Sequence, residues 1–355
     1  MPNFDDFKLA IEQLSGGKNT VLFDDREMPS VMVPIPKFKL SDVITGASQN
    51  AHPAFMVDSV EKDLIYVSKF QNIVINDRAY SLAGKDPRTY VTFDQALTYC
   101  RNKGNGWCVT PFAVWAALAL WCRANGTMPR GNNNYGQDHG YPLEKGTPTS
   151  YDGTYGDGSK RPARTATGSG PATWNHNWMP DGIADLNGNV WEWLAGMRLM
   201  DGEIQIIPYS NIFNPEISNA AASTAWKAIK SDGSLVDPGT AGTLKYDWVS
   251  SKIQLTTSIT TSEDAGRSCG YSAMTLASGL TAPEIVKALA LYPDEPGEDY
   301  GGDNFWMNNT GERLPFRGGS YSGYGAGAGV FAGSVENPRS YCTWAVGFRA
   351  AFVNL

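Results

Sequence analysis

The sequence predicts a large, loop-rich α+β domain, and three observations predict it. Two helices carry clear start signals, and they stand nearly alone along the chain. Short strand-like runs precede them, and another closes the C-terminus. Finally, 38 Gly and 21 Pro stand beside 11 Trp, 16 Tyr and 14 Phe in 355 residues. That mixture describes a globule of many turns pinned by large rings, not a helical bundle. The length suits one large domain or two ordinary ones. With 42% apolar and 18% charged residues, the chain can bury a core and is not a disordered tail.

Residues 3 to 15 read as a short amphipathic helix, with Phe4, Phe7, Ile11 and Leu14 at helical spacing and Ser15-Gly16-Gly17 ending it. Val31 to Phe38 reads as a strand whose prolines confine it to an edge or an entry position. Leu64 to Val67 and Gln71 to Ile75 are further short strands. Thr92-Phe-Asp-Gln95 is a capping box, and its helix runs to about Lys103 and ends at Gly104. Thr110-Pro111 places a cap and then Pro at the first helical position, opening a helix to Ala124. Its Trp115, Leu118, Ala119 and Cys122 form an apolar stripe for the core. Residues 127 to 182 show almost no periodicity, and so long an irregular stretch is functional or tied down by specific contacts. Residues 200 to 300 are of mixed character, with one helix from Pro283 to Leu291 capped by Thr281. Val346 to Val353 alternates as a final strand.

Several function classes are excluded. A net charge of −7 offers no basic surplus to displace counterions from phosphates, so nucleic acid is not a partner. No apolar run approaches the ~20 residues of a membrane helix, so no membrane insertion is expected. The N-terminus shows no secretory signal, which places synthesis in a cytoplasm. Five cysteines without a C-x-x-C pair argue for reduced, mostly buried thiols. His52, His139 and His176 show no metal-ligand spacing. The Gly-rich run from Gly323 to Gly329 lacks both the spacing and the following helix of a phosphate loop.

Asp185-Leu-Asn-Gly-Asn-Val-Trp-Glu-Trp193 is the most informative stretch in the middle. Asn187-Gly188-Asn189 makes a tight turn. Trp191 and Trp193 alternate with Glu192, so the carboxylate points opposite to the indoles. Carboxylates at Asp185 and Glu192 with turn carbonyls between them are hard ligands suited to Ca²⁺. Equally, Glu192 can be a buried acid bonded to backbone donors, since buried charge must be paired.

The order VMVPIPKF, TFDQALTYC, TPFAVWAAL, GNVWEW, RGGSY and GFRAA resembles the sulfatase-modifying-factor type of C-type lectin fold, that of formylglycine-generating enzymes. The resemblance covers residues 28 to 200 and 305 to 355. It implies a calcium site at Asp185, the carbonyls of Gly188 and Val190, and Glu192. The copper-binding cysteine pair of those enzymes has no counterpart here, because Ser322 to Ala328 contains no cysteine and Cys342 stands alone. Oxidase activity is therefore disfavoured, and fold likeness without the site is analogy only.

Arg317 to Arg349 resembles instead the variable region of proteins diversified by diversity-generating retroelements. There, fixed landmarks (RGG-aromatic, a Gly-rich turn, GVF, PRS, GFR) bracket residues replaced through template adenines. The resemblance implies a diversified ligand-binding face at Tyr321, Ser322, Gly323, Tyr324, Gly327, Ser334, Tyr341, Cys342, Thr343, Trp344 and Ala345. Trp344 and Glu336 cannot arise from an AAY codon and are fixed or specified otherwise. A Tyr/Ser/Gly mixture also suits binding surfaces, since Tyr gives large contact area at low entropic cost.

The expectation is thus a C-type lectin fold of the formylglycine-generating-enzyme-like subtype. A helical lead occupies residues 1–27 and the lectin-like domain 28–355, with an insertion at about 200–300 and the variable region at about 317–349. The protein is expected to be no enzyme but a binder of a cell-surface protein or glycan, virion-associated or displayed on a cell, of phage, viral or prophage origin. A lectin-fold oxidase and a structural virion subunit are the alternatives. Val346–Val353 is expected to pair with Val31–Phe38, and the rings of Tyr321, Tyr324, Tyr341 and Trp344 to share one exposed surface.

Overall fold

The structure, a computed structural model, describes residues 4–322 and 325–355. It is a sheet-rich α+β molecule with two main sheets and one large core cluster. The first sheet is antiparallel, in the order Thr20–Phe23, Pro29–Pro36, Leu64–Ser68, Ala350–Phe352, Trp107–Val109. The C-terminal strand therefore reaches the N-terminal sheet but does not pair with Pro29–Pro36. Leu64–Ser68 lies between them, correcting the expected direct pairing. The proline-bearing strand is also interior, not an edge. Its outer neighbour pairs only with Pro29 to Met32, so Pro34 and Pro36 fall where that side is open and the missing N–H groups break no ladder there.

Thr92 and Gln95 cap α2 (Phe93–Arg101) reciprocally, with bonds of 3.3 and 3.0 Å. The helix α3 (Phe112–Ala124) is buried on all sides, not along one stripe, as an apolar helix without a polar face must be. Its cap position is Pro111, because the Thr110 hydroxyl donates instead to the Arg349 carbonyl at 3.0 Å. Before them, α1 (Phe4–Leu14) lays Phe7 and Ile11 against Val31, Phe70 and Ala184, and leaves Leu14 exposed. The last helix, α4, is shorter than expected (Glu284–Ala288), and its cap position is Pro283, not Thr281.

The second sheet runs Arg267–Gly270, Asn304–Met307, Gly333–Asn337, Glu312–Arg317, Met197–Met200, Glu203–Ile206, Lys245–Val249, Lys252–Thr256, Thr275–Leu276. Residues 200–300 thus contribute several short strands joined by long turns and loops, and their strand Arg267–Gly270 pairs in full with Asn304–Met307. Trp191–Trp193 joins this sheet between Glu312–Arg317 and Val346–Phe348.

The expected strand Val346–Val353 is two strands. Val346–Phe348 belongs to the second sheet and Ala350–Phe352 to the first, with Arg349 between them. The chain changes sheets at this one residue, and its side chain explains why.

Residues 127–182 are tied down by side-chain amides, as expected of an ordered irregular stretch. Asn132 donates to the Ala163 carbonyl (2.8 Å), and Asn187 to that of Pro129 (2.8 Å). Gly188, at φ +78°, lies so close to this segment that a Cβ would stand 2.1 Å from the Asn132 carbonyl oxygen. Only glycine permits that approach.

Candidate functional site

Arg317, the first landmark of the C-terminal segment, is fully buried. Its guanidinium donates to the carbonyls of Phe331 (3.1 Å) and Ala290 (2.7 Å) and lies over the Phe112 ring. Asp303 completes the anchor from the opposite side. One of its carboxylate oxygens accepts from the backbone of Phe331 (2.7 Å) and Ala332 (3.1 Å). Burial raises its pKa to about 7, with those two N–H groups and Arg317 opposing. Gly329 packs against the same carboxylate, where a Cβ would stand 2.2 Å from an oxygen. The Trp115 indole donates to the Val330 carbonyl at 2.8 Å. The Gly-rich turn is therefore held from beneath by residues outside the candidate variable set.

The second half of the segment is bracketed in the same way. Arg339 binds Glu312 (2.8 and 2.9 Å) and Asp94 (2.7 Å). Tyr90 donates its backbone N–H to the Thr343 carbonyl (2.9 Å) and Trp191 to that of Ala345 (2.8 Å). Main chain from 339 to 346 is fixed at both ends, while the side chains between are not needed for those bonds.

A cleft of about 140 Å³ opens between the halves. Trp191, Trp306, Phe316, Tyr341 and Trp344 form its walls, and Ser322, Ser334, Glu336, Thr343 and Ala345 also line it. The rings brace one another: Trp191 meets Trp306 edge to face at 5.6 Å, and Phe316 stacks on Tyr341 at 6.1 Å. Ser334 is buried, and its hydroxyl has no hydrogen-bond partner. Glu336 is half-buried, its pKa raised by that burial against the opposing effects of Asn337 and Arg313.

The expected face is only partly exposed. Cys342 and Trp344 are exposed, while Ser322, Tyr341 and Thr343 are half-buried. Tyr321, expected to display its ring, is buried between Tyr135 and Trp344, with centroids at 5.9 and 5.0 Å. Gly327, Ser334 and Ala345 are buried too. Gly323 and Tyr324 lie outside the described residues.

The Asp185–Glu192 turn forms a separate, fully enclosed centre. Asp185, Gly188 and Asn189 all take positive φ, and Glu192 is wholly buried. Both Glu192 oxygens accept from Arg349, at 2.6 Å each. Arg349 also donates to the carbonyls of Ser68 (3.1 Å) and Ala184 (3.0 Å), so it joins the two sheets where the chain crosses. The oxygens expected around calcium surround an amide nitrogen instead. Gln71 Nε2 lies 3.2 Å from the Asp185 carbonyl, 3.5 Å from that of Gly188, 3.1 Å from that of Val190, and 3.0 Å from Glu192 Oε1.

The direction of that amide is fixed by a group that cannot flip. The Thr165 backbone N–H donates to Asn189 Oδ1 at 2.8 Å. Asn189 Nδ2 then donates to Gln71 Oε1 at 2.9 Å, which turns Gln71 Nε2 toward the four oxygens. A Ca²⁺ ion takes six to eight oxygens at about 2.3–2.6 Å. Here Nε2 holds the centre and Arg349 holds both Glu192 oxygens, so the set as arranged does not fit that ion. The Asp185 carboxylate turns elsewhere and accepts from Gly168 N–H at 2.8 Å; burial raises its pKa to about 6.

No family model matches the sequence, and a comparison with curated proteins finds no match. Among solved structures, the chain is similar to "Treponema denticola variable protein 1" at 12% identity and a TM-score of 0.34, over 94% of this chain and 98% of that one. It is similar to the "Major Tropism Determinant U1 Variant" at 9% identity and a TM-score of 0.28, over 91% of this chain and 62% of that one. For the "Major Tropism Determinant P3c Variant" the values are 9% and 0.30, over 94% and 71%.

His52 and His176 are buried away from the cleft. Burial lowers both imidazoles to about 4, so they are neutral and bonded to backbone. Among the described residues no cluster of three or more His, Cys, Asp or Glu could hold a metal ion. No helix among the described residues is long and apolar enough to cross a membrane. Sequence reasoning missed Gln71, Asp303 and Trp306. A signal existed for the first: Gln71-Asn72 interrupts an otherwise apolar run, and such a pair of amides needs partners.

Proposed function

We propose that this is a non-catalytic binding protein of C-type lectin type whose C-terminal face is diversified by a retroelement and recognises a protein or glycan on a cell surface. The observation that carries it is the coincidence of candidate variable residues with one cleft. Ser322, Ser334, Tyr341, Thr343, Trp344 and Ala345 all line it. The backbone beneath rests on Arg317, Asp303, Arg339 and Arg349, which lie outside the variable set. Side chains at such positions can change while the scaffold keeps its fold, which is what diversification requires. Anchoring residues in a pre-formed apolar pocket also carry most of the energy of an interface.

On this reading the Asp185–Glu192 turn is a structural joint that needs no cation, because Gln71 and Arg349 supply the donors. Display on a virion or cell, and a phage or prophage source, belong to the same reading. Sequencing the DNA that flanks the gene tests it. A near-repeat of the segment encoding 317–349, differing mainly at adenines, with a reverse transcriptase gene beside it, is the expected result. Absence of both would leave an undiversified virion subunit as the better account.

A further inference from the structure

The cleft has a composition that specifies more than a binding face. Five rings wall it, one buried hydroxyl lacks a partner, and one half-buried carboxylate is bonded to Asn337 without an ion pair among the described residues. Among the described residues Glu336 forms no ion pair, and the nearby cation Arg313 is committed to Asp264 at 2.6 Å. Ser334 Oγ, on the same strand two residues away, is a buried polar atom without a partner behind the cleft wall.

Size narrows the occupant. About 140 Å³ is well below the ~300–1,000 Å³ of pockets for drug-sized ligands. A cleft of that order encloses one extended side-chain end and not a larger ligand. Aromatic walls favour an alkyl stem and attract a cation at their faces. A carboxylate accepts from either cation, and in so narrow a cleft the compact ammonium of lysine on its slim stem fits better than the wider planar fork of arginine.

We infer that the cleft takes the ammonium end of a lysine side chain on the partner, with its stem along Trp344 and Tyr341 and its charge at Glu336. This rests on the reading of the face as a binding surface, and it names the chemistry that surface selects. Glu336 belongs to the scaffold and not to the candidate variable set. The cation preference is therefore a constant of the face, and the residues around it tune which lysine is accepted.

The test uses the full chain and Nα-acetyl-lysine methyl ester as probe, with Nα,Nε-diacetyl-lysine methyl ester as the uncharged control. Saturation-transfer NMR at constant ionic strength should show saturable contact to the side-chain methylenes of the charged probe alone. Glu336→Gln should weaken that binding tenfold or more, with circular dichroism confirming that it folds. Should Glu336→Gln fail to fold, Trp344→Ala at the exposed wall is the substitute, and it should also weaken the probe tenfold. Equal binding of both probes, no saturable binding, or undiminished binding to the variants would each overturn the inference. Its failure is separable from that of the broader reading, which the flanking DNA decides without reference to lysine.

Discussion

Removing the Arg349 side chain tests the joint between the two sheets. In Arg349→Met, Glu192 stays wholly buried but loses both 2.6 Å bonds, and the carbonyls of Ser68 and Ala184 lose their donors. Gln71 still donates to Glu192 Oε1 at 3.0 Å, one neutral donor against a full buried charge. Stripping one partner from a buried ion pair costs about 3–5 kcal/mol. With an unfolding entropy of about 2.1 cal/mol/K per residue, each kcal/mol moves the midpoint of a chain this long by roughly 1–1.5 °C. The melt should therefore fall by about 4–7 °C, read by circular dichroism. Neutralising the acid as well, in Arg349→Met/Glu192→Gln, should recover much of the loss. The same melts run with EDTA or added Ca²⁺ should superimpose for the unsubstituted protein, because Gln71 Nε2 already serves the oxygens a cation would need. A rise of ~3 °C or more with Ca²⁺, near the ~2.7 kcal/mol that a hundredfold excess over Kd confers, would refute this account of the turn. So would a loss under ~1 kcal/mol in Arg349→Met.

Three further outcomes follow from the same geometry. Thr343→Ala and Cys342→Ser should leave the melting midpoint within the ~0.5 kcal/mol typical of accessible positions. Tyr321→Ala, which removes a buried ring from between Tyr135 and Trp344, should cost ~3 kcal/mol; equal effects would contradict the division between scaffold and face. Asp303 titrates near 7 when folded against an ordinary 3.8, so its contribution is full below about pH 4 and is lost as pH rises through about 7. At ~1.4 kcal/mol per unit this is a few kcal/mol, and the stability–pH curve of Asp303→Asn should lack that decline. His52 and His176 have the opposite sign. Their folded values near 4 lie below the ordinary 6.5, so stability should fall as pH drops from about 6.5 toward 4. NMR titration should find both rings neutral at pH 5.

The helices and the tight turn were legible because their determinants lie within a few residues. Thr92 and Gln95 are three apart and cap each other whatever surrounds them. Asn187-Gly188-Asn189 forms its turn because Gly and Asn accept positive φ, and the alternation of Trp191, Glu192 and Trp193 puts the acid opposite the two indoles, on Arg349. The irregular stretch 127–182 could be read only as functional or tied down, and the amides that tie it, Asn132 and Asn187 among them, find partners far along the chain. In the C-terminal segment Arg317 and Arg349 are wholly buried and Arg339 is half-buried, each bonded to groups outside the candidate variable set.

What escaped the sequence is what depends on partners far along the chain. Val346 to Val353 alternates like one strand, and only the bond from Arg349 to Glu192, 157 residues away, shows why it divides between two sheets. Asp185 and Glu192 offer ligands for a cation as a local pattern. Whether a cation or a donor meets them is decided by Gln71, more than a hundred residues earlier. Tyr321 has the same composition signal as Tyr341, yet one ring is buried and the other borders the cleft. Residues 200–300 showed no clear strand pattern because their strands are short and enclosed by neighbours. Local propensity fixes short-range geometry. Which buried charge meets which donor is settled by sheet order, where desolvation in the assembled interior makes every unpaired group too costly to keep.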